Sequence, residues 1–151
     1  MSTSQPLHGF ILAGGKSARM GRDKASLEWQ HRTLLEHMFD QLSTAADRVY
    51  IVGRHQLPDQ LPGLGPLSGI ATALEASQAD ANLVVAVDLP LLTKQFLKYL
   101  RSRVESSGSR LLTCKIGSDF PLCLGLHRSL LPELQRRLAA RDLSVHGFFE
   151  S

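Results

Sequence analysis

The apolar positions fall into two alternating periods, short unbroken runs and longer stretches with helical spacing. Gly9-Phe10-Ile11-Leu12-Ala13 is an apolar run entering Gly14-Gly15, which predicts a buried strand that ends in a tight loop. Leu34, Leu35, Met38, Phe39 and Leu42 recur every three or four residues, so a helix is expected over Thr33 to Leu42. Arg48 to Val52 reads as a second strand closed by Gly53, and a Pro- and Gly-rich loop carries the chain to a short helix from Ser68. Asn82 to Val87 is the most hydrophobic strand candidate and ends on Asp88. Thr93 caps the next expected helix, with Phe96, Leu97, Leu100 and Val104 on one face. Leu111–Cys114 and Leu122–Leu126 predict two more strands around a turn at Gly117-Ser118-Asp119. A last helix is striped with Leu130, Leu131, Leu134 and Leu138.

Strands separated by helices require crossover connections, which favour a mainly parallel sheet covered on both faces. The expected fold class is therefore α/β, a three-layer α/β/α sandwich of Rossmann-like form. With 151 residues and no linker, repeat or low-complexity tract, residues 1–151 read as a single domain. In such sheets ligands bind beyond the carboxyl ends of the strands, where Gly14 and Asp88 would lie.

Composition narrows the partners. Hydrophobic residues make up 43% and charged residues 21%, values of a soluble globular protein. No apolar run reaches the ~20 residues of a membrane span, and Met1–His8 lacks the basic start and apolar middle of a signal peptide. A cytoplasmic location without membrane attachment is expected. A net charge of +3 suits small anionic ligands, and no long basic run speaks for nucleic acid; Arg101 to Arg110 reads as a solvated helix end. Cys114 and Cys123 are expected to be reduced, buried thiols on strands, and the six histidines lack paired metal spacing.

Candidate chemistry concentrates in Leu12-Ala13-Gly14-Gly15-Lys16-Ser17-Ala18-Arg19-Met20-Gly21-Arg22-Asp23-Lys24. It is not a Walker loop, because Phe10 stands where the first glycine is needed and Gly9 opens the strand instead of following it. Nor is it a dinucleotide fingerprint, because Lys16 occupies the second glycine position. Adjacent glycines nonetheless let backbone amides approach an anion closely. Lys16, Arg19, Arg22 and Lys24 place four cations within nine residues, suited to neutralising a triphosphate and a departing pyrophosphate. The plainer alternative is a glycine turn with solvated lysines. For Asp88 the alternatives are a magnesium-holding carboxylate at a strand end and a simple turn cap.

The string Leu-Ala-Gly-Gly-Lys-Ser-x-Arg-Met-Gly-x-Asp-Lys, with Leu27 after it, closely resembles the opening of the molybdenum cofactor guanylyltransferases, the MobA family. Gly15 and Asp23 lean toward the guanylyl branch. Asp88-Leu89-Pro90 resembles the family's metal-binding Asp-x-Pro, and Gly65-Pro66-Leu67-Ser68-Gly69 its Gly-Pro-Leu-x-Gly segment. Asp59 is the best match to a family aspartate implicated in nucleotide binding, across a loop that is shortened here; at Gly53 the family can present a polar side chain, absent here. Gly117-Ser118-Asp119-Phe120-Pro121-Leu122 resembles the segment that returns under the acceptor site.

The resemblance implies transfer of GMP from Mg²⁺-bound GTP to molybdopterin. In that scheme Leu12, Ala13, Gly14 and Gly15 would read the base, and Asp59 and Gly65 would contribute to nucleotide binding. Arg19 and Lys24 would neutralise the leaving group, and Asp88 would hold the metal. It also implies delivery of product to molybdoenzymes or their chaperones. The family continues into an Asn-x-Asn-Thr-Pro-Glu stretch that helps complete its active site, whereas these residues stop at Ser151, so ligands from that stretch are not expected. A cytidylyl- or sugar-phosphate nucleotidyltransferase and a non-catalytic nucleotide- or pterin-binding module are the competing expectations.

Overall fold

The computed structural model describes residues 5–13, 28–29, 31–53, 57–58, 65–89 and 92–150. Five strands form one sheet in the order β4-β1-β5-β7-β6, with β1 at Leu7–Leu12, β4 at Arg48–Val52, β5 at Ala81–Ala86, β6 at Leu111–Thr113 and β7 at Cys123–His127. A two-stranded pair, β2 (Glu28–Trp29) and β3 (Arg32–Thr33), stands apart, turned at His31 with φ 66°. No apolar periodicity announces strands this short.

Strand β1 pairs in parallel with β4 and β5, whereas β7 runs antiparallel to both β5 and β6. The expected mainly parallel sheet thus holds for four strands and is interrupted by one reversal. The reversal follows from chain length: no helix lies between Thr113 and Cys123, and a parallel return needs a crossover. The elements named from the sequence are all present, shifted by a residue or two at their ends. The surprise at the C-terminus is a short helix, α5, at Val145–Glu150.

Alternation along the strands feeds two cores. Leu7, Ile11, Leu83, Val85 and Cys123 meet Leu34, Met38 and Leu42 of α1 (Leu34–Ser43) and Leu97 and Leu100 of α3 (Lys94–Ser107). Phe10, Val84, Leu124 and Leu126 meet Leu67, Ile70 and Leu74 of α2 (Pro66–Ala76), Leu134 and Leu138 of α4 (Leu131–Ala139) and Phe148 of α5. This is the three-layer α/β/α arrangement. Thr33 starts α1 through a capping box, its Oγ1 accepting from Glu36 N–H at 3.0 Å while Glu36 Oε1 accepts from Thr33 N–H at 3.1 Å. Thr93 caps α3 as the sequence predicts, accepting from Phe96 N–H at 3.0 Å.

Asn82 is fully buried at the start of β5, and its amide is satisfied. Nδ2 donates to the carbonyls of Ala79 and Asp80, and Oδ1 accepts from Ser77 Oγ. This network closes the connection between α2 and β5 without an unpaired polar atom. Among the described residues, no helix is long and apolar enough to cross a membrane.

Candidate active site

The parallel strands β4, β1 and β5 deliver their carboxyl ends to one edge of the sheet, and backbone hydrogen bonds carry the pairing past the strands. Ala13 N–H donates to Val52 C=O at 2.9 Å, Val87 N–H to Leu12 C=O at 3.2 Å and Ala86 N–H to Leu122 C=O at 2.9 Å. Leu12 and Ala13 are thereby held against the turn that contains Asp88. Ala13 is buried and Leu12 half-buried, so their backbone is fixed by the core. Asp88 lies in the turn just after β5, with an exposed side chain. Beyond it, Gln41 Nε2 on α1 donates to Leu92 C=O at 2.9 Å and ties the following segment to the neighbouring helix.

Helix α2 opens at this same edge. Gly65 precedes it at φ +80°, a left-handed conformation that disfavours a side chain, and Pro66 fits the first helical turn, where an N–H has no intrahelical partner. Gly65 itself has no side chain to cap this N-terminus, and a helix start of this kind suits a polar or anionic group. Gly69 lets the helix sit close on β1: a Cβ there would come within 3.2 Å of Leu12 Cδ2. Gly69 and Gln41 are positioning residues that periodicity alone does not reveal, because their role is set by contacts across elements.

The structure therefore brings Leu12, Ala13, Gly65 and Asp88 to one edge. Gly14, Gly15, Arg19, Lys24 and Asp59 lie outside the described residues. Among the described residues, no group of three or more His, Cys, Asp or Glu side chains could hold a metal. Asp88 offers a hard, exposed oxygen donor, which suits Mg²⁺: that ion binds through one or two carboxylates and takes its remaining ligands from water and phosphate.

Beside this edge, between α3 and the ends of β6 and β7, lies a groove of about 520 Å³. Phe96, Tyr99 and Leu112 form apolar walls, and Arg103 and Lys115 bring cations to it. The sequence gives no motif for it. Its signal was the presence of Phe96 and Tyr99 on one helix, and Tyr99 remains 59% exposed. One expectation is corrected nearby. Cys114 is half-buried and lies past the end of β6, whereas Cys123 is buried on β7.

An open α/β sheet with a carboxylate, a glycine-opened helix and a buried strand end on one carboxyl edge defines a protein of the nucleotide-handling class. Residues 9–149 match the MobA-like NTP transferase domain, and the chain belongs to that family. It is 39% identical over 139 residues to the molybdenum cofactor guanylyltransferase of Xanthomonas euvesicatoria pv. vesicatoria, covering 86% of this chain and 70% of that one. It is 31% identical over 152 residues to the molybdenum cofactor guanylyltransferase of Syntrophotalea carbinolica, covering 93% and 72%. The fold is similar to the crystal structure of molybdopterin-guanine dinucleotide biosynthesis protein A from Archaeoglobus fulgidus, with a TM-score of 0.71, 22% identity and coverage of 88% and 73%. The chain is a nucleotidyltransferase.

Proposed function

We propose that this chain transfers GMP from GTP to the terminal phosphate of molybdopterin, forming the guanine dinucleotide cofactor and pyrophosphate. The observation that carries the reading is the convergence of Leu12, Ala13, Gly65 and Asp88 on one sheet edge in a chain of this family. An acceptor phosphate oxygen attacks the α-phosphorus of GTP, and the bond to the bridging oxygen of pyrophosphate breaks. The acceptor phosphate is already ionised, so no strong general base is needed, and catalysis rests on alignment and charge stabilisation.

In this reading, the Leu12–Gly15 backbone orients the base, starting from Leu12 and Ala13, which two hydrogen bonds pin to the neighbouring strands. Gly65 and the opening of α2 bind polar nucleotide atoms, and Asp59 assists from the preceding loop. Arg19 and Lys24 neutralise the charge gathering on pyrophosphate. Asp88 holds Mg²⁺, which when bound withdraws charge from phosphate oxygens. Residues 1–151 act as one nucleotidyltransferase domain in the cytoplasm, and the product passes to molybdoenzymes or their chaperones.

The test is pyrophosphate release with GTP, Mg²⁺ and loaded molybdopterin. Lys24→Ala and Asp88→Ala should each lower turnover on the order of 10²-fold or more. Intact turnover in both variants would reject the assignment, as would a larger thermal shift with CTP, ATP or UTP than with GTP. Binding of GTP without pyrophosphate release would identify a binding module instead.

A further inference from the structure

The cross-strand register of β6 and β7 pairs Leu111 with Leu126, Leu112 with Gly125 and Thr113 with Leu124. One step further, just past the ladder, Cys114 comes opposite Cys123. Both side chains leave the sheet on the α3 face and pack into the same core, where the two thiols interact with each other. Side chains directly opposite on antiparallel strands have Cβ atoms about 4.5–5.5 Å apart. A disulfide needs about 3.5–4.5 Å, so a small approach of the two side chains closes the gap. Both cysteines line the groove beside α3, whose rim residue Ile116 is 71% exposed, so a small solute has a route to them. The proposed transfer reaction uses neither thiol.

The two thiols are unequal. The hydrogen bond from Cys123 holds the Cys114 thiol below its ordinary range against the opposing effect of burial. The same hydrogen bond, together with burial, pushes Cys123 well up. Cys114 is thus the more accessible and more readily ionised partner, and Cys123 stands behind it.

We propose that Cys114 and Cys123 form a dithiol modification site that reacts with small-molecule disulfides such as glutathione disulfide, Cys114 as the attacking thiol and Cys123 as the resolving one. The Cys114 thiolate attacks one sulfur of glutathione disulfide, forming a mixed disulfide and expelling one glutathione thiolate. Cys123 then gives up its proton to that thiolate and attacks Cys114 Sγ, expelling the second glutathione, which takes up a proton from water. In sum, two protein thiols are oxidised to one disulfide and one glutathione disulfide is reduced to two glutathione thiols.

Intact-mass measurement and peptide mapping of the full chain after incubation with glutathione disulfide test this. The wild type should lose two hydrogens, carry no adduct, yield a crosslinked Cys114–Cys123 peptide and revert with dithiothreitol. Cys123→Ala should retain one glutathione on Cys114, and Cys114→Ala should remain unmodified over the same interval. A stable glutathione adduct on the wild type without the crosslinked peptide would overturn the proposal. So would absence of any reaction, or Cys114→Ala reacting at Cys123 as fast as the wild type reacts. The crosslinked peptide is read from the wild type alone, so the proposal stays testable should the buried Cys123 variant fold poorly.

Discussion

Gly125 lies in β7 beneath α3, and its missing side chain sets how closely that helix approaches the sheet. A Cβ at this position would stand 2.5 Å from Val104 Cγ2, and 3.5 Å from Leu112 Cβ. Ordinary contact begins near 3.4 Å, so Gly125→Ala forces a displacement of 3.4 − 2.5, or about 0.9 Å. Val104 is β-branched and held in a helix, so rotamer change offers little relief. Overpacking of this kind costs about 1–3 kcal/mol. Val104→Ala alone removes partly buried methyls and should cost about 1–2 kcal/mol. In the double variant the clash disappears, since the clashing methyl is gone. Its loss of stability should fall short of the sum of the single losses by about 1 kcal/mol or more. Urea unfolding at constant m-value measures all four proteins. Additivity within about 0.5 kcal/mol would refute the claim that Gly125 sets the helix–sheet distance.

Three further outcomes follow from the geometry. Thr93→Ala removes the acceptor for Phe96 N–H and should lower stability by about 1 kcal/mol, seen as a lower urea midpoint. His8 is buried with no partner for Nδ1 among the described residues, and burial followed by Arg48 holds its pKa below 6.5 against the pull of Asp47. Its neutral form is favoured by folding, so its contribution is complete above pH 6.5 and is lost as pH falls toward the lowered folded value; His8→Phe should flatten that part of the stability profile. Asp47 accepts from Leu7 N–H at 2.8 Å and meets Arg101 at 3.2 Å, and the Leu7 bond foremost lowers its pKa against burial. Its contribution is present above the ordinary value of 3.8 and fades as pH falls through the lowered folded value, so Asp47→Asn should make acid unfolding below pH 3.8 less steep.

The sequence made the buried strands and the amphipathic helices legible because burial is written as period. Phe10 and Ile11 occupy opposite faces of β1, and Leu34, Met38 and Leu42 share one face of α1, where each residue's environment follows from its neighbours. The reversal at β7 was not legible, since strand direction depends on the connection and not on the apolar run. The pair β2–β3 was too short to have a period. Among the candidate site residues, Asp88 and Gly65 lie at the strand end and helix start where the sequence pattern puts them. Gly69 stands out in the sequence only through the resemblance and Gln41 not at all, because their roles exist only between elements that are distant in sequence.

The reversed strand has a consequence for how the chain can diversify. Because β7 begins where β5 ends, the excursion from Cys114 to Leu122 departs from and returns to the edge that carries Asp88. Its bend at Gly117, between the bridged Ile116 and Asp119, can lengthen or change composition without shifting the register of β4, β1 and β5. One half of the sheet can therefore keep the geometry proposed to hold the nucleotide while the other is rewritten for a new co-substrate, a division of labour built into a single change of strand direction.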